Sequence, residues 1–140
     1  MGRGACVVVL VWFAALCVYD VRQRRLPNWL TLPGAAAVLT FAALAGRGLP
    51  ALVGAGALGL LYLVVCTTGA LGGGDVKLAL GVGAIGGYFG ADVWLLAALA
   101  APLLTTVWAL VAFVCRGART VPHGPAMCIA TAAAATLALL

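Results

Sequence analysis

The sequence predicts an all-α, polytopic membrane protein with about six transmembrane helices, forming one membrane domain over residues 1–140. Three observations predict it. The chain is 66% hydrophobic and only 8% charged, with a mean hydropathy of +1.21; a soluble domain carries about 25% charged residues. The apolar residues come in long runs, not in the half-buried periodic stripes of a soluble helix. Short clusters of Gly, Pro and charged residues separate the runs, and these are the residues that end helices. The short alternating segments of a transmembrane β-barrel do not occur.

The first span, 5–19, follows Arg3 with "ACVVVLVWFAALCVY". That is the layout of a signal peptide, but no A-x-A site closes it. Leu16 stands before Cys17, where a lipoprotein site needs a small residue, so the expectation is a retained span. "RQRRLPN" leads into span 29–45, where Pro27 and Asn28 suit a helix start: proline presets the backbone angle and asparagine is a preferred cap. "GRGLP" introduces 50–67, "TTGALGGGD" introduces 76–91, "GADV" introduces 93–114 and "RGARTVPHGP" introduces 124–140. Several spans are near or below the ~17-residue lower limit for crossing a bilayer. Short spans imply a thinned membrane or helices that share depth with protein neighbours.

Within the spans, Gly54, Gly59, Gly83, Gly86, Gly87 and Gly90 read as close helix packing. Trp12, Trp29, Trp94 and Trp108 read as interface or lipid-facing anchors. The five cysteines, Cys6, Cys17, Cys66, Cys115 and Cys128, form no C-x-x-C pair and read as small apolar fillers.

Basic residues predict the orientation. The loops after spans one, three and five hold Arg22, Arg24, Arg25, Lys77, Arg116 and Arg119, six in all. The other side holds Arg3 and Arg47. The richer side faces the cytoplasm, which puts both termini outside. Arg22, Arg24 and Arg25 then suit anionic lipid headgroups.

The chain has three acids. Asp92 lies in the "GGYFGADVW" turn and suits a cap near the start of the fifth helix. Asp20 ends the first span and Asp75 starts the fourth, and the predicted topology puts both at one depth on the cytoplasmic side. An ionisable residue at the end of a membrane helix is a functional candidate. The structural alternative has Asp75 capping its helix through the N–H groups of Lys77 and Leu78, and Asp20 paired with Arg22 or Arg24.

A cap does not need Gly72, Gly73 and Gly74 ahead of it. Glycines beside an acid leave the backbone bare, so that another chain can lie close. That suits a protease, which must draw its substrate into an extended form and can hold it by main-chain hydrogen bonds. Two facing aspartates supply the chemistry: they resist ionising together and share one proton. The charged one takes a proton from water, and the neutral one gives a proton to the substrate carbonyl.

These residues resemble a known family. "GGGDVKL" fits the G-x-G-D motif of intramembrane aspartic peptidases through Gly72, Gly74 and Asp75. "DVRQRRLPNWLTLPG", Asp20 to Gly34, is similar to the first catalytic segment of bacterial type IV prepilin peptidases. "VPHGPAM", Val121 to Met127, is similar to their closing Pro-x-Gly-Pro element. The resemblance implies a six-helix membrane fold with Asp20 and Asp75 as catalytic pair and no metal or other cofactor. It implies removal of the basic leader from a prepilin, a partner with a hydrophobic helix behind that leader, at the cytoplasmic face. Larger members also methylate the new N-terminus and carry C-x-x-C zinc pairs in a further domain. This chain has neither that domain nor those pairs, so methylation is not expected of it, and it looks like the short, peptidase-only form associated with Flp-type, tight-adherence pili.

Around the pair, Gly72, Gly73 and Gly74 are candidate contacts for the substrate backbone. Lys77 either tunes the dyad, touches substrate or anchors at the interface by snorkelling. Asn28 suits a helix cap, with substrate contact as its alternative. His123, where the family's pattern leads us to expect an aromatic or apolar residue, reads as a solvated loop residue.

Three rivals remain on sequence alone. A proton or ion carrier using the same two acids usually needs midplane polar residues and repeated halves. A presenilin-like G-x-G-D protease is favoured by Tyr19–Asp20, but the chain is short and carries no Pro-Ala-Leu motif near its C-terminus. A structural membrane subunit would use the glycines for packing only. "GALGGGDVK" lacks the G-K-[ST] ending of a nucleotide-binding loop, and no nucleic-acid partner is expected.

Overall fold

In the computed structural model, which describes residues 2–117 and 121–140, each expected span forms a helix. These are α1 (Arg3–Gln23), α2 (Asn28–Leu44), α3 (Gly48–Thr67), α4 (Gly73–Phe89), α5 (Ala91–Arg116) and α6 (Gly124–Leu137). Helices are the natural answer in lipid, because every backbone group must find its partner within the segment. The stretches Gly4–Gln23, Gly48–Thr67 and Ala91–Cys115 are long and apolar enough to cross a membrane, and Asn28–Leu44 and Gly124–Leu137 are shorter apolar helices. The protein is a polytopic membrane protein. Arg119, counted above for orientation, lies outside the described residues, as do the side chains of Arg3 and Arg116.

The helix that carries Asp75 sits at the centre. α4 packs against α2, α3, α5 and α6, and its residues from Leu78 to Gly87 are nearly all buried. Leu16, Leu58 and Met127 are fully buried around it, as is its own Leu78. The outer faces are greasy: Val8, Leu60 and Leu103 are all more than half exposed. In lipid such faces provide no drive to associate, so the bundle relies on close packing.

Glycine makes that packing possible between α3 and α4. A side chain on Gly54 would strike the backbone at Gly83, and one on Gly87 would strike the Pro50 carbonyl. Gly86 lies against Trp94, where a Cβ would come to 3.0 Å from its Cα. Gly90 departs from the packing expectation. Its φ is 135° with open space around it, and it forms the turn that joins α4 to α5.

Two tryptophans also depart from expectation. Trp29 and Trp108 are exposed, as anchors should be. Trp12 instead wedges its ring against Gly34 and Gly81 and donates its indole N–H to the Leu30 carbonyl at 2.9 Å. Trp94 donates to the Gly54 carbonyl at 2.9 Å. Glycine surfaces flat enough for a ring, and a carbonyl for the N–H, draw both indoles inward.

The first helix is longer than its apolar run. It continues through Asp20 to Gln23 and stops where Arg24 turns left-handed at φ 50°, its N–H bonded to the Asp20 carbonyl at 2.8 Å. Asp20 therefore sits inside the last turns of α1, with its side chain fixed by the helix.

Candidate active site

The end of α1 and the starts of α2, α4 and α6 meet at one end of the bundle. There Asp20 and Asp75 line the same pocket, of about 300 Å³. Its walls come from the α1–α2 loop through Arg24, Arg25 and Leu26, and from the start of α4 through Gly72, Gly73, Gly74 and Lys77. The charge of Asp20 is felt at Asp75, and that of Arg24 at Asp20.

Asp20 is only 6% exposed. Oδ2 accepts the backbone N–H of Gly124 at 2.9 Å. This N–H opens α6, where the first amides have no partner inside the helix. The carboxylate thus caps α6 from a distant helix, and the positive end of that helix dipole faces it.

Asp75 stands in the first turn of α4, where Gly72 is the N-cap residue. Its Oδ2 accepts the Gly72 N–H at 3.3 Å, and its own N–H donates to the Gly72 carbonyl at 3.1 Å. This corrects the capping alternative: the carboxylate reaches back to Gly72, not forward to Lys77 and Leu78. Asp92 is likewise not the cap of its helix. It sits in the first turn of α5, behind the N-cap Gly90, and is exposed.

The three glycines divide. A Cβ on Gly74 would lie 3.2 Å from Leu26 Cβ, so the α1–α2 loop presses against that position. Gly73 has nothing within 4 Å of a would-be Cβ, and at Gly72 only the Asp75 carboxylate comes near. Gly72 and Gly73 therefore form a bare, open floor beside the acid.

Lys77 donates from Nζ to Asn28 Oδ1 at 2.6 Å. Asn28 is not a cap, because Pro27 holds that position without a side-chain bond. The Asn28 oxygen serves the lysine instead and ties the start of α2 to the start of α4.

His123 is not a solvated loop residue. Its Nε2 lies 2.9 Å from the Tyr62 hydroxyl on α3, and its Nδ1 lies 2.6 Å from Thr105 Oγ1 on α5. Thr105 donates its own proton to the Ala101 carbonyl at 2.9 Å. Thr105 therefore accepts from Nδ1–H, and Nε2 accepts from the Tyr62 hydroxyl, which assigns the neutral tautomer. Burial lowers the pKa of this imidazole and keeps it uncharged.

Nothing in the sequence marks Tyr62 or Thr105 as partners of His123, and Gly124 stands out only as part of the Pro-x-Gly-Pro element. Among the described residues, no three His, Cys, Asp or Glu side chains gather as a metal site. The geometry offers two carboxylates at one pocket, each fixed through one oxygen by a backbone amide, beside a strip of bare backbone. Such a pair can take a proton from water and give one to a carbonyl.

A model of the type IV leader peptidase family matches residues 7–140. No curated protein and no solved structure matches the chain.

Proposed function

This chain belongs to the type IV leader peptidase family, and we propose that it removes the basic leader from prepilins of the Flp, tight-adherence kind by aspartic chemistry. The family supports a leader peptidase in general terms. The observation that carries the finer reading is the shared pocket: Asp20 and Asp75, far apart in the chain, line one cavity.

A water held between the carboxylates loses a proton to the ionised aspartate as it attacks the scissile carbonyl. The other aspartate, protonated, donates to the carbonyl oxygen. When the tetrahedral intermediate collapses, the proton passes to the leaving amine and the pair returns to its shared-proton state. The Gly124 N–H holds Oδ2 of Asp20 and fixes the carboxylate that faces this water. Extended substrate lies along Gly72 and Gly73, where no side chain blocks main-chain hydrogen bonds. The excess of basic residues at this end of the bundle supports a site at the cytoplasmic face of the cell membrane, with both termini outside.

The test is co-expression with a pilin that carries a basic leader, followed by gel analysis of leader loss. The expected result is processing by the wild-type chain and none by Asp20→Asn or Asp75→Asn, with both variants still in the membrane. Normal processing by either variant removes the dyad. Ion flux without processing would favour a carrier.

A further inference from the structure

We propose that the groove between α3 and α5 seats the apolar helix of the prepilin, just beyond the scissile bond; this rests on the peptidase reading above. The groove has a volume of about 450 Å³. α3 and α5 both pack on α4 yet scarcely touch each other, which leaves a lateral opening between them. α5 is thin along this face. It offers Ala98, Pro102, Thr105 and Ala109 where larger residues would close the gap, while Leu61 and Val65 form the opposite wall.

The groove adjoins the catalytic pocket at two places along the chain. Leu71 lines it and is followed directly by Gly72, which lines the pocket. His123 lines it and is followed directly by Gly124, whose N–H holds Asp20. Tyr62, another wall residue, is near enough to Asp75 to feel its charge. A peptide bond gripped at the dyad therefore delivers the next residues of the substrate to the mouth of the groove.

Its length suits a helix. From Ala98 to Ala109 α5 rises about 16 Å, roughly three turns and half of the ~30 Å hydrocarbon thickness. Depth increases away from the dyad, which is the path of a substrate whose leader stays at the pocket and whose apolar helix enters the membrane. The groove of α1, α2 and α4, lined by Val8, Phe41 and Tyr88, lies towards the other end of the bundle. Trp12, lodged against Gly34 and Gly81, stands between it and the dyad.

The test uses site-specific photo-crosslinking in phosphatidylethanolamine–phosphatidylglycerol vesicles. The probe is a prepilin with a basic leader and a 20-residue-scale apolar helix, bound to the Asp75→Asn chain. Crosslinkers at Leu61 and Ala109 are expected to capture the helix, and those at Val8 and Phe41 are not. Capture at Val8 or Phe41 alone, or lipid adducts alone at Leu61 and Ala109, overturns the proposal. Independently, Ala109→Trp in the active chain is expected to raise KM for this prepilin at least tenfold with kcat within about threefold, because the groove contributes binding and not chemistry. An unchanged KM overturns the proposal. Wild-type cleavage is measured in the same vesicles. Cleavage without groove adducts removes this inference alone, whereas no cleavage of any leader-bearing prepilin removes the peptidase reading and this inference with it.

Discussion

The backbone N–H of Gly124 donates to Oδ2 of Asp20 at 2.9 Å across 104 positions of sequence, and the bond is buried. It makes the last helix a clamp on a side chain of the first. The fit leaves no room for a side chain on Gly124: a Cβ there would lie 2.6 Å from Oδ2 and 3.1 Å from Cγ of Asp20. The aspartate side chain is short and its helix is packed, so the carboxylate would have to swing out of the pocket.

Gly124→Ala is therefore expected to lower kcat for leader removal about 10²-fold, the scale of a misplacement near 1 Å at a reacting group. The amount of protein in the membrane should stay near wild type, because alanine favours the helix that it enters. A Gly124→Ala enzyme with wild-type kcat would disconnect the clamp from catalysis.

The acids separate by environment. Asp20→Asn and Asp75→Asn each remove a proton acceptor from the shared pocket and are expected to cost about 10³-fold or more in rate. Asp92 is exposed in the first turn of α5, at the opposite end of α4. Asp92→Asn gives up a favourable charge at a helix start, worth at most about 1 kcal/mol, and should retain most activity. Leader loss against time for the three variants checks this ordering.

Much of this was legible in advance, for a physical reason. Breaks between apolar runs are local, so "RQRRLPN", "GRGLP" and "TTGALGGGD" located the helix ends from composition alone. Asp20 and Asp75 stood out because a carboxylate in so apolar a chain is expensive unless it has a task. What was not legible is which groups meet. Trp12 has the composition of a lipid anchor, and only the facing Gly34 and Gly81 turn it inward. Asn28 has the chemistry of a cap, and only the approach of Lys77 reassigns its oxygen. His123 has the sequence setting of a loop residue, and only the approach of Tyr62 and Thr105, distant in sequence, leaves it half-buried. Hydropathy ranks segments by depth but says nothing about rotation of one helix against the next.

His123 yields a pH prediction. Its folded pKa is lowered by burial from the ordinary 6.5. The unfolded chain takes up the proton that the folded chain refuses. Stability is therefore lost as pH falls below about 6.5, through the window between the ordinary and the lowered value. His123→Gln keeps a polar side chain without titrating, so it should flatten this part of the stability profile. Thermal melts in detergent between pH 7 and pH 5 test it, and an unchanged slope in the variant would assign the acid sensitivity to another group.

Tyr62→Phe removes the hydroxyl that reaches His123 Nε2. It leaves a half-buried ring nitrogen with no donor, at a cost on the order of 1–3 kcal/mol. The expected result is a lower melting temperature. A second expectation is a reduced rate, because His123 directly precedes the Gly124 amide that holds Asp20. Tyr62→Phe with unaltered melting would mean that water replaces the lost hydroxyl.

The bond from Lys77 Nζ to Asn28 Oδ1 distinguishes two roles for the lysine. If Lys77 tuned the dyad by charge, Lys77→Met would shift the pH optimum while Asn28→Ala would not. The bond favours the other role, because the ammonium donates to Asn28 and so joins the starts of α2 and α4. Truncating either residue should then break the same tie. Lys77→Met and Asn28→Ala are each expected to lower activity less than tenfold, and the double variant should be hardly worse than either single one. The coupling energy should be on the order of 1 kcal/mol, since the pair is partly exposed and a net hydrogen bond contributes about that much. Additive losses, or a shift of optimum confined to Lys77→Met, would return the lysine to the dyad.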